Sequence, residues 1–201
     1  MDTLELLDWK LQVLGIYAAV RAAEDPGSAW AAWRAERDRL FRDHPQSPLL
    51  PEARGRFDGL HLYDYDPSLR VLGEVREAEA KRYEIGTSGD GTVAFTRFAV
   101  AGLTIGSEAF ELEIYWLEGY GGGLFLPFAD ATSGDETYGA GRYLYDTVKG
   151  ADLGIEGGKL VCDFNFAYNP SCSYDPRWVC PLAPPANRIG VAIRAGERAP
   201  G

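Results

Sequence analysis

"AFELEIYWL", residues 109–117, alternates without a break. Phe110, Leu112, Ile114 and Trp116 fall on one face of an extended chain, and Glu111, Glu113 and Tyr115 fall on the other. This is the clearest half-buried strand in the chain, and it sets the reading of its surroundings. "SGDG" (88–91) and "EGYGGG" (118–123) are turn signals between extended runs, so the neighbouring strands are expected to form antiparallel hairpins. About eight or nine strands are expected between Phe57 and Arg194.

Ahead of Pro51 the period is helical. Leu4, Leu7, Leu11, Leu14 and Ala18 recur at three- and four-residue steps and form one apolar stripe. "EDPGS" (24–28) breaks that helix, with Ser28 placed as the N-cap of the next. The second helix carries Trp30, Trp33, Leu40 and Phe41 on one face and Arg34, Glu36, Arg39 and Arg42 on the other, and His44-Pro45 ends it. The expected fold is α+β and mainly antiparallel β. A helical hairpin (1–45) packs on a curled sheet, either barrel or sandwich, built from residues 55–201 with a Pro-rich C-terminal strap, all in one domain (1–201).

Composition narrows the function. Of 201 residues, 46% are hydrophobic, enough to bury a core, and 25% are charged. A net charge of −10 repels phosphate backbones and anionic bilayers, so neither nucleic acid nor a membrane surface is an expected partner. No apolar run reaches the length of a membrane span, and "MDTLELLDWK" lacks the basic start of a signal peptide, so a cytoplasmic location is expected. The three cysteines, an odd number, do not suggest a disulfide framework. Cys162, Cys172 and Cys180 are spaced too widely for a zinc knuckle, there are only two histidines, and no metal or cofactor is expected. Cys172 and Cys180 are expected to be reduced thiols within reach of each other. "GTSGDG" (86–91) lacks the Lys-Ser/Thr ending of a phosphate loop, and a hairpin turn accounts for it.

Two segments concentrate polar residues. In "FADATSGDETYGAGRYL" (128–144), Leu124, Leu126 and Phe128 share a strand face that Asp130 continues, and Tyr138, Ala140, Arg142 and Leu144 share a face of the next strand. Arg142 then lies among apolar neighbours and requires a carboxylate, with Asp130 the nearest candidate and Asp163 the other. In "DFNFAYNPSCSYDPRWVCPLAPPANR" (163–188), Leu160, Cys162, Phe164 and Phe166 form the apolar face, which places Asp163 and Asn165 opposite. Prolines 170, 176, 181, 184 and 185 keep the rest extended and stiff, suited to a strap or to the rim of a barrel mouth.

These two segments closely resemble the C-terminal signature of domain-of-unknown-function family 1684. "RFDGLHLYDYDPSLRV" (56–71) and the "WRAERDRLF" helix (33–41) are similar to that family as well. Asp163, Asn165, Tyr168, Asn169, Cys172, Cys180 and Asn187 match the motif, whereas Phe166 replaces a basic residue and Ser171 a proline. The resemblance implies a shared architecture and no established reaction. Three functions fit the residues. A barrel mouth lined by Asp130, Tyr138, Arg142, Asp163, Asn165 and Tyr168 would hold a small polar or anionic ligand. An enzyme would use Asp163 or Asp130 as general base and Arg142 to stabilise negative charge. A structural or partner-binding protein would present exposed Trp and Tyr as a contact surface, with the Arg142–Asp130 bridge saturated and no cavity beside it.

Overall fold

The computed structural model describes residues 3–200. Helix α1 spans Thr3–Ala22, α2 Pro26–Asp43 and the one-turn α3 Pro51–Arg54. Asp25, not Ser28, caps α2. Its Oδ2 accepts from the Ser28 amide at 2.8 Å and from the Ser28 hydroxyl at 2.6 Å. Pro26 occupies the first turn, where its missing N–H removes nothing from the helix. The leucine stripe of α1 points outward, with Leu7, Leu11 and Leu14 about half exposed. The helix has a second apolar face, and it is the one that carries the rings: Val13 and Tyr17 are buried, and Trp9, Ile16 and Val20 pack beside them. Larger side chains remove more apolar area from water, and that face takes the core side. Among the described residues no helix is long and apolar enough to cross a membrane.

Seven antiparallel strands follow: β1 Arg70–Gly86, β2 Thr92–Ile105, β3 Glu108–Leu117, β4 Gly123–Phe128, β5 Arg142–Asp146, β6 Ile155–Glu156 and β7 Lys159–Asp163. Their order in the sheet is β5-β4-β3-β2-β1-β7-β6. The hairpins at 88–91 and 118–122 occur where the turn residues place them. Gly106-Ser107 closes a third, a two-residue loop in which Gly106 takes φ +58°. The long first strand serves two partners, pairing with β7 at Arg70–Gly73 and with β2 from Glu74 onward.

The sheet is open, and the expected barrel does not close. The β5 edge is covered instead by one isolated bridge, where Tyr143 and Tyr168, which lies beyond β7, exchange backbone hydrogen bonds of 2.9 and 3.0 Å. After β7 the chain does not continue as a strand. The Asp163 side chain caps a 3-10 turn at Phe164–Phe166, so Phe164, Asn165 and Phe166 are all buried, instead of alternating between two faces.

From there the proline-rich segment returns across the sheet as a strap. Ala129 donates to the Asn187 carbonyl, Ile189 to the Ala129 carbonyl and Ala131 to the Val191 carbonyl. This second layer explains why β4 and β5 are buried on both faces. It also explains the end of β3. Tyr115 is fully buried with Phe95, Phe125 and Tyr143, while Trp116, on the expected core face, is 48% exposed.

Asn187 fixes the strap to the sheet by imitating a backbone amide. Its Oδ1 accepts from the Glu113 amide at 2.8 Å, and its Nδ2 donates to the carbonyls of Glu113 (2.9 Å) and Pro127 (2.7 Å). Pro127 has no N–H to offer β3, and the Asn187 carboxamide fills the gap in the ladder. Asn187→Ala leaves three buried backbone groups unpaired and is expected to lower unfolding free energy by about 3 kcal/mol or more. Asn187→Asp sets a carboxylate oxygen against two carbonyls and is expected to be at least as damaging. Urea denaturation of both variants measures this.

Candidate functional site

Arg142 is fully buried, as the phase of its strand requires. Its Nη2 donates to Asp130 Oδ1 at 3.3 Å and to the Ile193 carbonyl at 2.9 Å. Its Nη1 donates to the carbonyls of Ala195 and, at 3.1 Å, Glu197. Asp130 in turn accepts from the Ile193 amide (2.7 Å) and the Thr132 hydroxyl (2.8 Å). The pair therefore grips the backbone of residues 193–197. A positive φ at Gly141 (+95°) lets the chain turn into β5 there, where a Cβ would meet the Phe128 carbonyl oxygen at 2.5 Å.

The gripped segment carries Glu197, also fully buried. Its carboxylate accepts from Arg37 of α2 (Nε at 2.9 Å, with a second bond from Nη2), from the Asn169 amide (2.7 Å) and from the Tyr174 hydroxyl (2.9 Å). The Arg37 guanidinium also lies 5.1 Å from the Trp33 ring centroid and 5.0 Å from that of Tyr168. Sequence reasoning missed Arg37 and Glu197. The available signal was Arg37 falling four residues after Trp33 and four before Phe41, on the apolar face of its helix.

The six residues assigned to one barrel mouth lie in separate places. Arg142 and Asp130 pair at the C-terminal segment. Tyr168 is buried between Arg37 and Tyr143. Tyr138 is half-buried, its hydroxyl 3.9 Å from Cys172 Sγ. Asn165 is fully buried and ties down the chain ahead of β1, donating to the Asp66 carbonyl (2.8 Å) and accepting from the Asp66 amide (2.9 Å). Asp163 and Asn165 remain adjacent, joined at 2.8 Å. With the sheet open and the strap folded over it, there is no common rim for the six to line.

Of the two carboxylates considered as general bases, Asp130 has both oxygens engaged by its neighbours. Asp163 differs. Its Oδ1 accepts from Asn165, while its buried Oδ2 has no hydrogen-bond partner, and Arg70 Nε stands 3.9 Å away. Burial raises the Asp163 carboxyl above its ordinary value, against the opposing effects of Asn165, Arg70 and the Tyr65 hydroxyl. The Tyr65 hydroxyl nearby is pushed up to about 12, first by burial and then by the Asp163 charge.

Asp163 lines a cleft of about 270 Å³ between the α1–α2 turn and the β6–β7 hairpin. Val20, Pro26, Leu153 and Phe166 form its apolar wall, and Arg21, Arg70 and Glu156 its polar edge. Both arginines are already engaged, Arg70 with Glu156 Oε2 at 2.6 Å and Arg21 with the Asp152 carbonyl at 2.6 Å. None of these three edge residues stood out in the sequence, because each lies at an element end with no periodic context.

Removing one member of the Arg142–Asp130 pair strands a buried charge. Arg142→Met is expected to lower stability by about 3–5 kcal/mol. Adding Asp130→Asn is expected to recover part of that loss, read as a positive coupling in a double-mutant cycle of chemical denaturation.

A family model described as "Protein of unknown function (DUF1684)" matches residues 55–198. No curated protein matches the chain. The chain is similar to the solution NMR structure of an uncharacterized protein from Haloarcula marismortui, at 36% sequence identity and a TM-score of 0.62, over 89% of this chain and 97% of that one. The matched region holds the sheet, the strap and the Arg142–Glu197 network apart from Arg37, and the chain belongs to the DUF1684 family of proteins of unknown function.

Proposed function

We propose that this protein binds a small polar molecule in the cleft at Asp163, with its helices and sheet acting as one folded unit around it. The observation that carries this reading is Asp163, a buried carboxylate that lines the cleft and whose Oδ2 lacks a hydrogen bond within 3.5 Å, with Arg70 Nε at 3.9 Å and the Tyr65 hydroxyl as its near neighbours. Buried polar atoms are nearly always paired, and one left open beside a cavity is a natural acceptor for a ligand. The cleft's charge selects the ligand. Asp163 and Glu156 balance Arg21 and Arg70 in number, and the two guanidiniums already hold carboxylate or carbonyl partners. A donor group on a compact, partly apolar molecule (an amine, amide or hydroxyl) suits this site, and a carboxylate or phosphate does not. The anionic ligand expected from Arg142 has no support, because that guanidinium is buried and its amino groups are committed to protein acceptors.

The same residue gives a stability test. The folded chain holds the Asp163 proton more tightly than the unfolded chain does, because the folded carboxyl is raised. Its contribution to stability is therefore greatest at acid pH and declines as pH rises from the ordinary carboxylate value through the raised one. Asp163→Asn keeps the acceptor used by Asn165 and removes the buried charge. At neutral pH the variant is expected to be at least as stable as the wild type, with a flatter stability profile above about pH 4. In a thermal-shift screen of amines, amides, polyols, carboxylates and inorganic phosphate, donor compounds are expected to stabilise the wild type and not the variant. Equal shifts in both proteins, or shifts from anions alone, would contradict the proposal.

A further inference from the structure

The leucine stripe of α1 serves neither the core nor the cleft. Leu4, Leu7, Leu11, Leu14 and Ala18 follow at steps of three, four, three and four, the heptad spacing by which two helices pack along a common seam. The face that α1 turns to its own core is a separate one, with Trp9, Val13, Tyr17 and Val20 on the far side of the helix. Leu7, Leu11 and Leu14 are 50, 56 and 45% exposed. Charge is divided across the seam, with Asp8 on one flank and Lys10 on the other. Asp8 accepts from Gln12 at 2.6 Å and from His44 at 3.1 Å, and its side chain is still 60% exposed.

We propose that α1 is a dimerisation helix, which packs parallel to the α1 of a second copy of this chain along the leucine seam. A two-fold axis along the seam sets each leucine against its own counterpart, so one helix supplies both halves of the contact. Charge selects the direction. With the helices parallel, the Asp8 flank of each copy meets the Lys10 flank of the other, whereas antiparallel helices bring like flanks together. Area is consistent with a dimer of modest strength. The exposed leucines form an apolar patch of a few hundred Å², which monomeric proteins rarely leave uncovered. With Asp8, Lys10 and Gln12 as a polar rim it approaches, from below, the ~800 Å² that each partner of a standard interface buries. A dissociation constant on the order of 10–100 µM follows for so small a contact. An anionic bilayer is the poorer occupant, because Glu5 and Asp8 on the helix and a net charge of −10 repel it.

Sedimentation equilibrium of the whole chain, from about 5 µM to about 1 mM, tests the proposal. The wild-type mass is expected to rise with concentration from one chain to two. Leu11→Glu is expected to stay at one chain throughout, with wild-type circular dichroism, because the position is half exposed. Leu7→Glu repeats the measurement at a second exposed position. Asp8→Lys and Lys10→Glu, each of which sets like charges across the seam, are expected to weaken self-association at low salt. An equimolar mixture of the two is expected to recover it, because the mixed dimer pairs opposite charges on both flanks. A wild type that stays monomeric at the highest concentration overturns the proposal, as does a dimer that persists in both glutamate variants. Failure of the mixture to recover association overturns the parallel arrangement and the proposal with it. A monomeric wild type that co-sediments with phosphatidylcholine vesicles, and loses this in Leu11→Glu, would assign the seam to a neutral lipid surface instead.

Discussion

The structure depends on where a guanidinium can go once water is excluded from it. Arg142 opens a strand whose two faces are both covered. A charge in that position is tolerable only with a carboxylate and a set of fixed acceptors around it. Asp130 supplies the charge, and the carbonyls of Ile193, Ala195 and Glu197 supply the rest. The C-terminal segment is thereby brought across the sheet, and it delivers the Glu197 carboxylate to Arg37 on α2. One chain of charge-assisted hydrogen bonds then links β5, the C-terminal segment, the 169–174 region and the helical hairpin.

Three motif asparagines extend the same logic with neutral groups. Asn165 holds Asp66, Asn187 holds Glu113 and Pro127, and Asn169 donates to the Arg198 carbonyl at 2.7 Å. Each uses a side-chain amide to satisfy the backbone of a distant segment where no ladder is available. This is why a proline-rich stretch can serve as a covering layer. It lacks many of the donors of a strand, and the asparagines provide directed bonds where the prolines cannot. Asp163 sits at the boundary of this arrangement. One oxygen caps the turn that starts the strap, and the other lies buried 3.9 Å from Arg70 Nε in a residue that lines the cleft. Structure and proposed binding thus share one side chain, each using a different oxygen.

Much of this was legible in the sequence because burial and phase are local properties. The alternation at 109–117 gave the strand, and the Gly-rich turns gave its hairpins. The phase of Arg142 gave both its burial and its need for Asp130. What could not be read depends on long-range geometry. A two-residue period does not say whether a second layer covers the outer face, so Tyr115 was placed outside and Trp116 inside. The α1 helix has two apolar faces, and only the packed structure shows that Val13 and Tyr17 exclude the leucines. Closure into a barrel required the chain to stay extended beyond Asp163, and the Asp163 cap ends the strand there. That turn also dispersed the expected mouth, leaving Asp163 beside Arg70 and Glu156, which carried no signal of their own.

The central claim is that the C-terminal strap is an integral layer of the fold, held by the Arg142–Glu197 network. Native-state hydrogen exchange measures this most directly, at the amides of Ala129, Asn169, Ile193 and Glu197, which bond across the strap. The account predicts that these amides exchange only through global unfolding, at the same free energy as the central β2–β3 amides. Exchange of the strap amides through a separate, low-energy opening, with β2–β3 still protected, would contradict it.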